Sequence, residues 1–170
     1  MDKTISEILD DYGEKIVNGL RQSMQDKGLM ASGDTARSIE YKVEENAVIS
    51  LTVLAHLALI ILETGRGPNK GGGKSSGGGL RAGIERWVET KPIIPFDPKM
   101  TKDQLVFLIV RKIAREGIKV PNRFNPGGVI TDVIDDNLIE KINREVINAS
   151  VASLVTTVKK AIKTHGTTND

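Results

Sequence analysis

The sequence contains no cysteine, which excludes disulfides and thiolate metal sites and leaves the redox compartment open. Aromatic residues are scarce: one Trp, two Tyr and three Phe, or 4% of the chain. That is little material for a surface on which bases stack. Charge of one sign is also lacking. The 24 basic and 22 acidic side chains leave a formal net charge of +2, too balanced for the global field of a dedicated nucleic-acid binder. There is no long hydrophobic run. The longest, "VLAHLALIIL" from Val53 to Leu62, is about half the ~20 residues that span a bilayer. The N-terminal "MDKTISEILDDYGEK" is charged and amphipathic and lacks the apolar core of a signal peptide, so a soluble protein without classical export is expected.

What is present suits one domain over residues 1–164, long enough to bury a substantial core, with a disordered tail over 165–170. Ile5, Ile8, Leu9, Tyr12, Ile16, Leu20 and Met24 recur at three- and four-residue steps and predict a helix from about 4 to 27. Thr4 and Glu7 have capping-box spacing, and Gly28 is its stop. Beyond "MASGDTARS" the pattern changes. Ile39, Tyr41 and Val43 alternate with polar residues, a turn follows at "EEN", and Val48, Leu51 and Val53 continue: a β-hairpin with one buried face. "AHLALIILETG" is predicted as a buried helix ending at Gly65.

A short amphipathic helix through Leu80, Ile84, Trp87 and Val88 is expected next, ending near Thr90 before Pro92. Thr101 or Asp103 caps the following helix, whose buried face is read as Leu105, Leu108, Ile109, Lys112 and Ile113, with Gly117 as its stop. From Val129 to about Lys163 the apolar spacing fits one long helix or two abutting ones. The expected fold class is α+β: a small antiparallel sheet packed against several helices, the last of them long.

The stretch "GPNKGGGKSSGGGLR", residues 67–81, invites comparison with a phosphate-binding loop. In a Walker A loop a glycine stands five residues before Gly73-Lys74-Ser75. That position is Pro68, with no N–H to donate and a fixed φ. Nor does a helix follow the lysine directly, because Ser75, Ser76 and Gly77 to Gly79 intervene. The segment 65–79 reads instead as a flexible loop.

Signals for catalysis are weak. His56 lies in the apolar run, where a hydrogen-bonded or interface histidine is the simpler reading, since no second His or Cys can join it as a ligand. His165 lies in the tail. Asp132 and Asp136 share a helix face and suit a divalent ion, but an acidic first turn favoured by the helix dipole explains them more simply. No serine sits in a nucleophile elbow. No catalytic, cofactor-binding or metal residue is assigned, and an enzyme is not expected.

Four segments together resemble a known family. They are "GLMASGDTARSIEYKVE", "LALIILETGRGP" with Glu63, Gly65 and Pro68 at motif positions, "GIERWVETK", and "FLIVRKIAREGIKVPNRFNP". Their order and spacing are similar to those of the neck, or tail-completion, proteins of tailed bacteriophages and prophages, over roughly residues 1–145. The chain departs from the pattern at Leu57, where the family has an aromatic, in the long glycine insertion 71–79, and in its long C-terminal helix.

The resemblance implies a structural virion protein, assembled in the bacterial cytoplasm and located in the virion neck or tail. It implies a homo-oligomeric ring of twelve or six subunits in the head-tail connector, joining the tail to the DNA-filled capsid. Partners would be other connector and tail proteins, with non-specific contact to packaged DNA and no membrane. A tail terminator that caps the tube is the alternative, and a nucleic-acid-binding module using the basic glycine loop is a further one.

Loops carry contacts when a rigid scaffold positions them. The interface residues expected on this ground are Gly65, Arg66, Lys70, Lys74, Arg81, Arg123 and Phe124. Glu63 is expected to pair internally with an arginine such as Arg111 or Arg115.

Overall fold

The computed structural model describes residues 3–69, 78–91, 93–95 and 97–166. Among these it has six helices and a two-stranded antiparallel sheet, an α+β fold.

Helix α1 spans Ile5–Asp26. Thr4 Oγ1 accepts the Glu7 N–H at 3.2 Å while the Glu7 carboxylate accepts the Thr4 N–H at 2.8 Å, so two otherwise orphaned donors are satisfied at its start. The helix closes with the Gly28 N–H on Gln25 O and the Leu29 N–H on Met24 O, both at 2.9 Å. Its buried stripe is Ile8, Leu9, Tyr12, Ile16, Val17, Leu20 and Met24. A single turn, α2, covers Asp34–Arg37. The Arg21 guanidinium ties it to α1 by donating to Ala36 O at 3.1 Å and Ile39 O at 2.8 Å.

Strands β1 (Glu40–Glu45) and β2 (Ile49–Leu54) form the hairpin, with Tyr41 opposite Val53 and Val43 opposite Leu51. Alternation puts these four side chains on one face, and α1 packs there. The approach is close: a Cβ on Gly13 would lie 2.2 Å from the Tyr41 ring. Val48, expected on the buried face, is in the turn and 73% exposed; the second strand begins one residue later, at Ile49.

Helix α3 spans Leu57–Thr64 and ends at Gly65 as expected, but it is only half buried. Leu59 faces the core while Leu57 and Ile60 are exposed. An eight-residue helix lying on a surface can bury only one side of a sequence that is apolar all round. Helices α4 (Gly78–Thr90) and α5 (Lys102–Glu116) pack against each other. Thr101, not Asp103, caps α5, in a second capping box with Gln104. The buried residue of α5 is Val106, with Leu105, Ile109, Val110 and Ile113 partly covered. Lys112 and Leu108 are exposed, correcting their expected burial.

Residues 129–134 form turns, and the final helix α6 starts only at Asp136 and runs to Gly166. It is one helix rather than two, and it continues past the expected boundary at 164; residues 167–170 lie outside the described residues. Asp135 Oδ1 accepts the Leu138 N–H at 2.8 Å and so caps it. The core joins Ile16, Val17, Leu20, Met24, Ala36, Ile39, Leu59 and Val129, with Leu138 and Ile142 of α6 packed against it. Tyr12 Oη donates to Glu145 at 2.8 Å and fastens α6 along α1. Burial, and then the Glu145 carboxylate, push the Tyr12 phenol up to about 12.

Candidate interaction surface

Two of the four segments that carried the motifs, "LALIILETGRGP" and "FLIVRKIAREGIKVPNRFNP", meet at one joint. Helices α3 and α5 end in glycines of almost identical conformation: φ 77°, ψ −164° at Gly65 and φ 76°, ψ −165° at Gly117. This region is open essentially to glycine alone. The residues that follow pair reciprocally, the Arg66 N–H on Ile118 O at 2.8 Å and the Ile118 N–H on Arg66 O at 2.7 Å. A Cβ on Gly65 would stand 2.2 Å from Ile118 O, and one on Gly117 2.3 Å from Arg66 O. The Asn69 N–H adds a bond to Ala114 O at 2.8 Å. The base of the glycine loop is thus sewn to the end of α5.

Beside this joint the chain makes a second tight feature. After a cis Val120–Pro121 bond, Asn122 and Asn125 exchange backbone hydrogen bonds of 2.7 and 3.1 Å. Asn122 Oδ1 accepts the Phe124 N–H at 2.8 Å. Asn125 is buried; its amide donates to Leu62 O at 2.8 Å and its Oδ1 accepts the Gly127 N–H at 2.9 Å. Buried polar groups satisfied in this way hold a turn rigidly. On its tip stand Arg123 and Phe124. The Phe124 ring is 74% exposed, with the Arg123 guanidinium 4.3 Å from its centroid.

Glu63 locks both features to the start of the last segment. Its Oε2 accepts the Ile130 N–H at 2.9 Å and its Oε1 the Thr131 hydroxyl at 2.8 Å. Burial raises the carboxyl's pKa, but the hydrogen bonds from Ile130, Thr131 and Val129 outweigh it and leave it below the ordinary value. The expected ion pair with Arg111 or Arg115 is therefore replaced by backbone and hydroxyl donors; Arg115 instead pairs with its neighbour Glu116. Sequence pairing by charge missed this because a backbone donor leaves no trace in residue type. The Asn-x-x-Asn spacing of 122–125 was the legible signal for the tight turn.

The expected contact residues separate into groups. Gly65 is buried and is a mount rather than a contact. Arg66 is half-buried and donates to Asn69 Oδ1. Arg81, on α4, pairs with Glu85 at 2.6 Å and lies 3.6 Å from Asp103. Arg123 and Phe124 are fully presented. Lys70 and Lys74 lie outside the described residues, as does most of the loop 65–79.

The acidic residues near α6 have local duties, Asp132 pairing with Lys27 at 2.7 Å and Asp135 capping the helix. Among the described residues, no three His, Cys, Asp or Glu side chains gather where they could hold a metal, and no helix is long and apolar enough to cross a membrane. A cleft of about 420 Å³ lies between α4–α5 and the core, lined by apolar side chains that include Met30, Ile61, Ile84, Trp87 and Ile113. His56 is exposed at the N-cap of α3. Comparison of the chain with protein-family models, curated proteins and solved structures finds no match.

Proposed function

We propose that this chain is a structural protein of a tailed-phage virion, a ring subunit in the neck that joins the tail to the DNA-filled capsid. One observation carries the reading. Part of what the resemblance rests on, Glu63, Gly65 and the "AREG" and "PNRFNP" segments, is what the fold uses to build a single rigid mount. The mount positions an exposed aromatic and the base of a glycine loop, which is what a subunit needs when its task is to grip neighbours.

A DNA-binding role for the loop is less well supported. Arg66 and Arg81 are both engaged within the chain, by Asn69 and by Glu85, rather than aimed outward as free phosphate ligands. Contact with packaged DNA would then be incidental and salt-sensitive.

Electron microscopy of a lysate from a phage deleted for this gene tests the proposal. Filled heads beside separate tails, or heads that have leaked DNA, support it. Overlong or uneven tails would move the protein to the tube end, and intact infectious particles would overturn the structural reading altogether.

A further inference from the structure

Helix α6 has two unlike faces. Leu138, Ile142 and Glu145 lie toward α1 and the core. On the opposite side Ile147, Val151, Leu154, Val158 and Ile162 follow at steps of four, three, four and four, with Val155 beside them. Each of these six side chains is at least 45% exposed. No charged residue interrupts the run from 146 to 158. Towards the helix start the same outer face continues as the exposed charges Asp136, Glu140 and Arg144, so the apolar stripe has a defined end. Its length, 16 residues, is about 24 Å of helix at the usual rise. A bare stripe of this size on a small protein marks an interaction surface.

We infer that the stripe is a self-association seam, and that two copies of this chain pair antiparallel along the second half of α6. Three features of the chain select this occupant. The seam reads alike in both directions about Leu154 and Val155: Ile147 falls opposite Ile162, Val151 opposite Val158, and Leu154 opposite Val155. Each helix therefore offers the other side chains of matched size, as close packing requires. Second, Lys159, Lys160 and Lys163 crowd one end of the helix. A parallel pair would stack these cations against their own copies; an antiparallel pair sets the two clusters at opposite ends, each beside the partner's uncharged stretch near 146–150. Third, the outer face beyond the seam is exposed, which leaves a path for the partner helix.

A single two-helix contact is small beside the ~1,200 Å² at which standard interfaces begin. The pair is accordingly a reversible dimer, populated as concentration rises through the micromolar range. It is separate from any ring contact, because a two-fold pairing closes on itself whereas a ring is built from head-to-tail contacts. Its failure would leave the neck reading standing, and the reverse holds too.

The test uses the full chain. Light scattering after size exclusion, over a hundredfold range of concentration, should show monomer passing to dimer. Leu154→Glu should remain monomeric throughout, with an unchanged circular-dichroism melt. Because the chain has no cysteine, single introduced thiols report geometry cleanly. Under mild oxidation Leu154→Cys should form a covalent dimer, while Ile162→Cys, far from its own equivalent in an antiparallel pair, should stay at background. Equal cross-linking at both positions would mean a parallel pair and overturn the inference. So would a wild-type chain that is monomeric at every concentration, or an oligomer whose mass Leu154→Glu does not change.

Discussion

Gly65 and Gly117 end two different helices with backbone angles that agree within one or two degrees, and the residues after them, Arg66 and Ile118, exchange both of their backbone hydrogen bonds. Each helix stop is thereby followed at once by one half of an isolated β-bridge, and each glycine is pressed against the other segment's carbonyl. Gly65→Ala combines a conformation that costs an L-residue about 1–3 kcal/mol with a 2.2 Å approach to Ile118 O. We expect a loss of at least ~3 kcal/mol, which is roughly 6–12 °C in Tm for a chain of this size. Gly117→Ala should cost a similar amount. Chemical denaturation of the two single variants checks this, and a loss under ~1 kcal/mol at either site would contradict the joint as described.

Gly13 tests a different kind of constraint, close approach without unusual φ. It sits under the Tyr41 ring, whose hydroxyl donates to Asp10 at 3.0 Å. Alanine here has better helix propensity by ~1 kcal/mol, yet its methyl would drive the ring off α1. The expected sign is destabilising, by about 1–3 kcal/mol as for other overpacked sites. A stabilised Gly13→Ala variant would show that the hairpin shifts freely over α1.

Glu63 should make the fold acid-sensitive. Its folded pKa lies below the ordinary 4.5 despite burial, because Ile130, Thr131 and Val129 donate to the carboxylate. A depressed pKa contributes stability that is present above 4.5 and is lost as pH falls through the folded value. Glu63→Gln keeps the shape but turns a donor toward donors, costing about 1–3 kcal/mol at neutral pH. Denaturation curves measured from pH 7 down to pH 3 should converge for the two proteins; parallel curves would remove the carboxylate from this role.

These residues also show how far the sequence could be read. Helix stops and starts were legible because they are local: Thr4 with Glu7, Thr101 as one of two candidate caps, and Gly28, Gly65 and Gly117 act within five residues of themselves. The hairpin was legible from alternation. The faces of α3 and α5 were not, since "LALIIL" and "LVFLIV" are apolar all round, and only the placement of neighbouring elements decides which side is covered. Glu63's partners were hidden because they are sixty-seven and sixty-eight residues away and one of them is a backbone N–H. The spacing along α6 predicted a helix but not which part of it is covered, because periodicity reports a face without saying what lies against it.

At the alkaline end the sensitive group is Tyr12. Its phenol is raised from 10.0 to about 12 by burial and by the hydrogen bond to Glu145. A raised pKa contributes stability that is complete below the unfolded value and is lost as pH climbs through the folded one. The fold should therefore weaken between pH 10 and about 12. The chain has only two tyrosines, so phenolate absorbance in a Tyr41→Phe background follows Tyr12 alone. A midpoint at the ordinary value, 10.0, would mean that α6 does not cover it.

The last prediction separates mounting from gripping at the 122–125 turn. Phe124 is exposed and makes its ring contact only with its neighbour Arg123 among the described residues, so Phe124→Ala removes little that the fold needs. Its Tm should fall by no more than a degree or two, as for other surface changes. Asn125, by contrast, is buried between Leu62 O and the Gly127 N–H, and Asn125→Ala should cost about 1–3 kcal/mol by leaving both unpaired. If the turn is an anchor for a neighbouring subunit, the order reverses in assembly. An exposed aromatic that becomes buried at an interface is a hot spot worth 2 kcal/mol or more. Complementation of a deletion phage should then fall at least tenfold in titre with Phe124→Ala, although that protein is as stable as the wild type. Full complementation by Phe124→Ala would leave the turn a structural feature alone and move the search for contacts to α6 and the glycine loop.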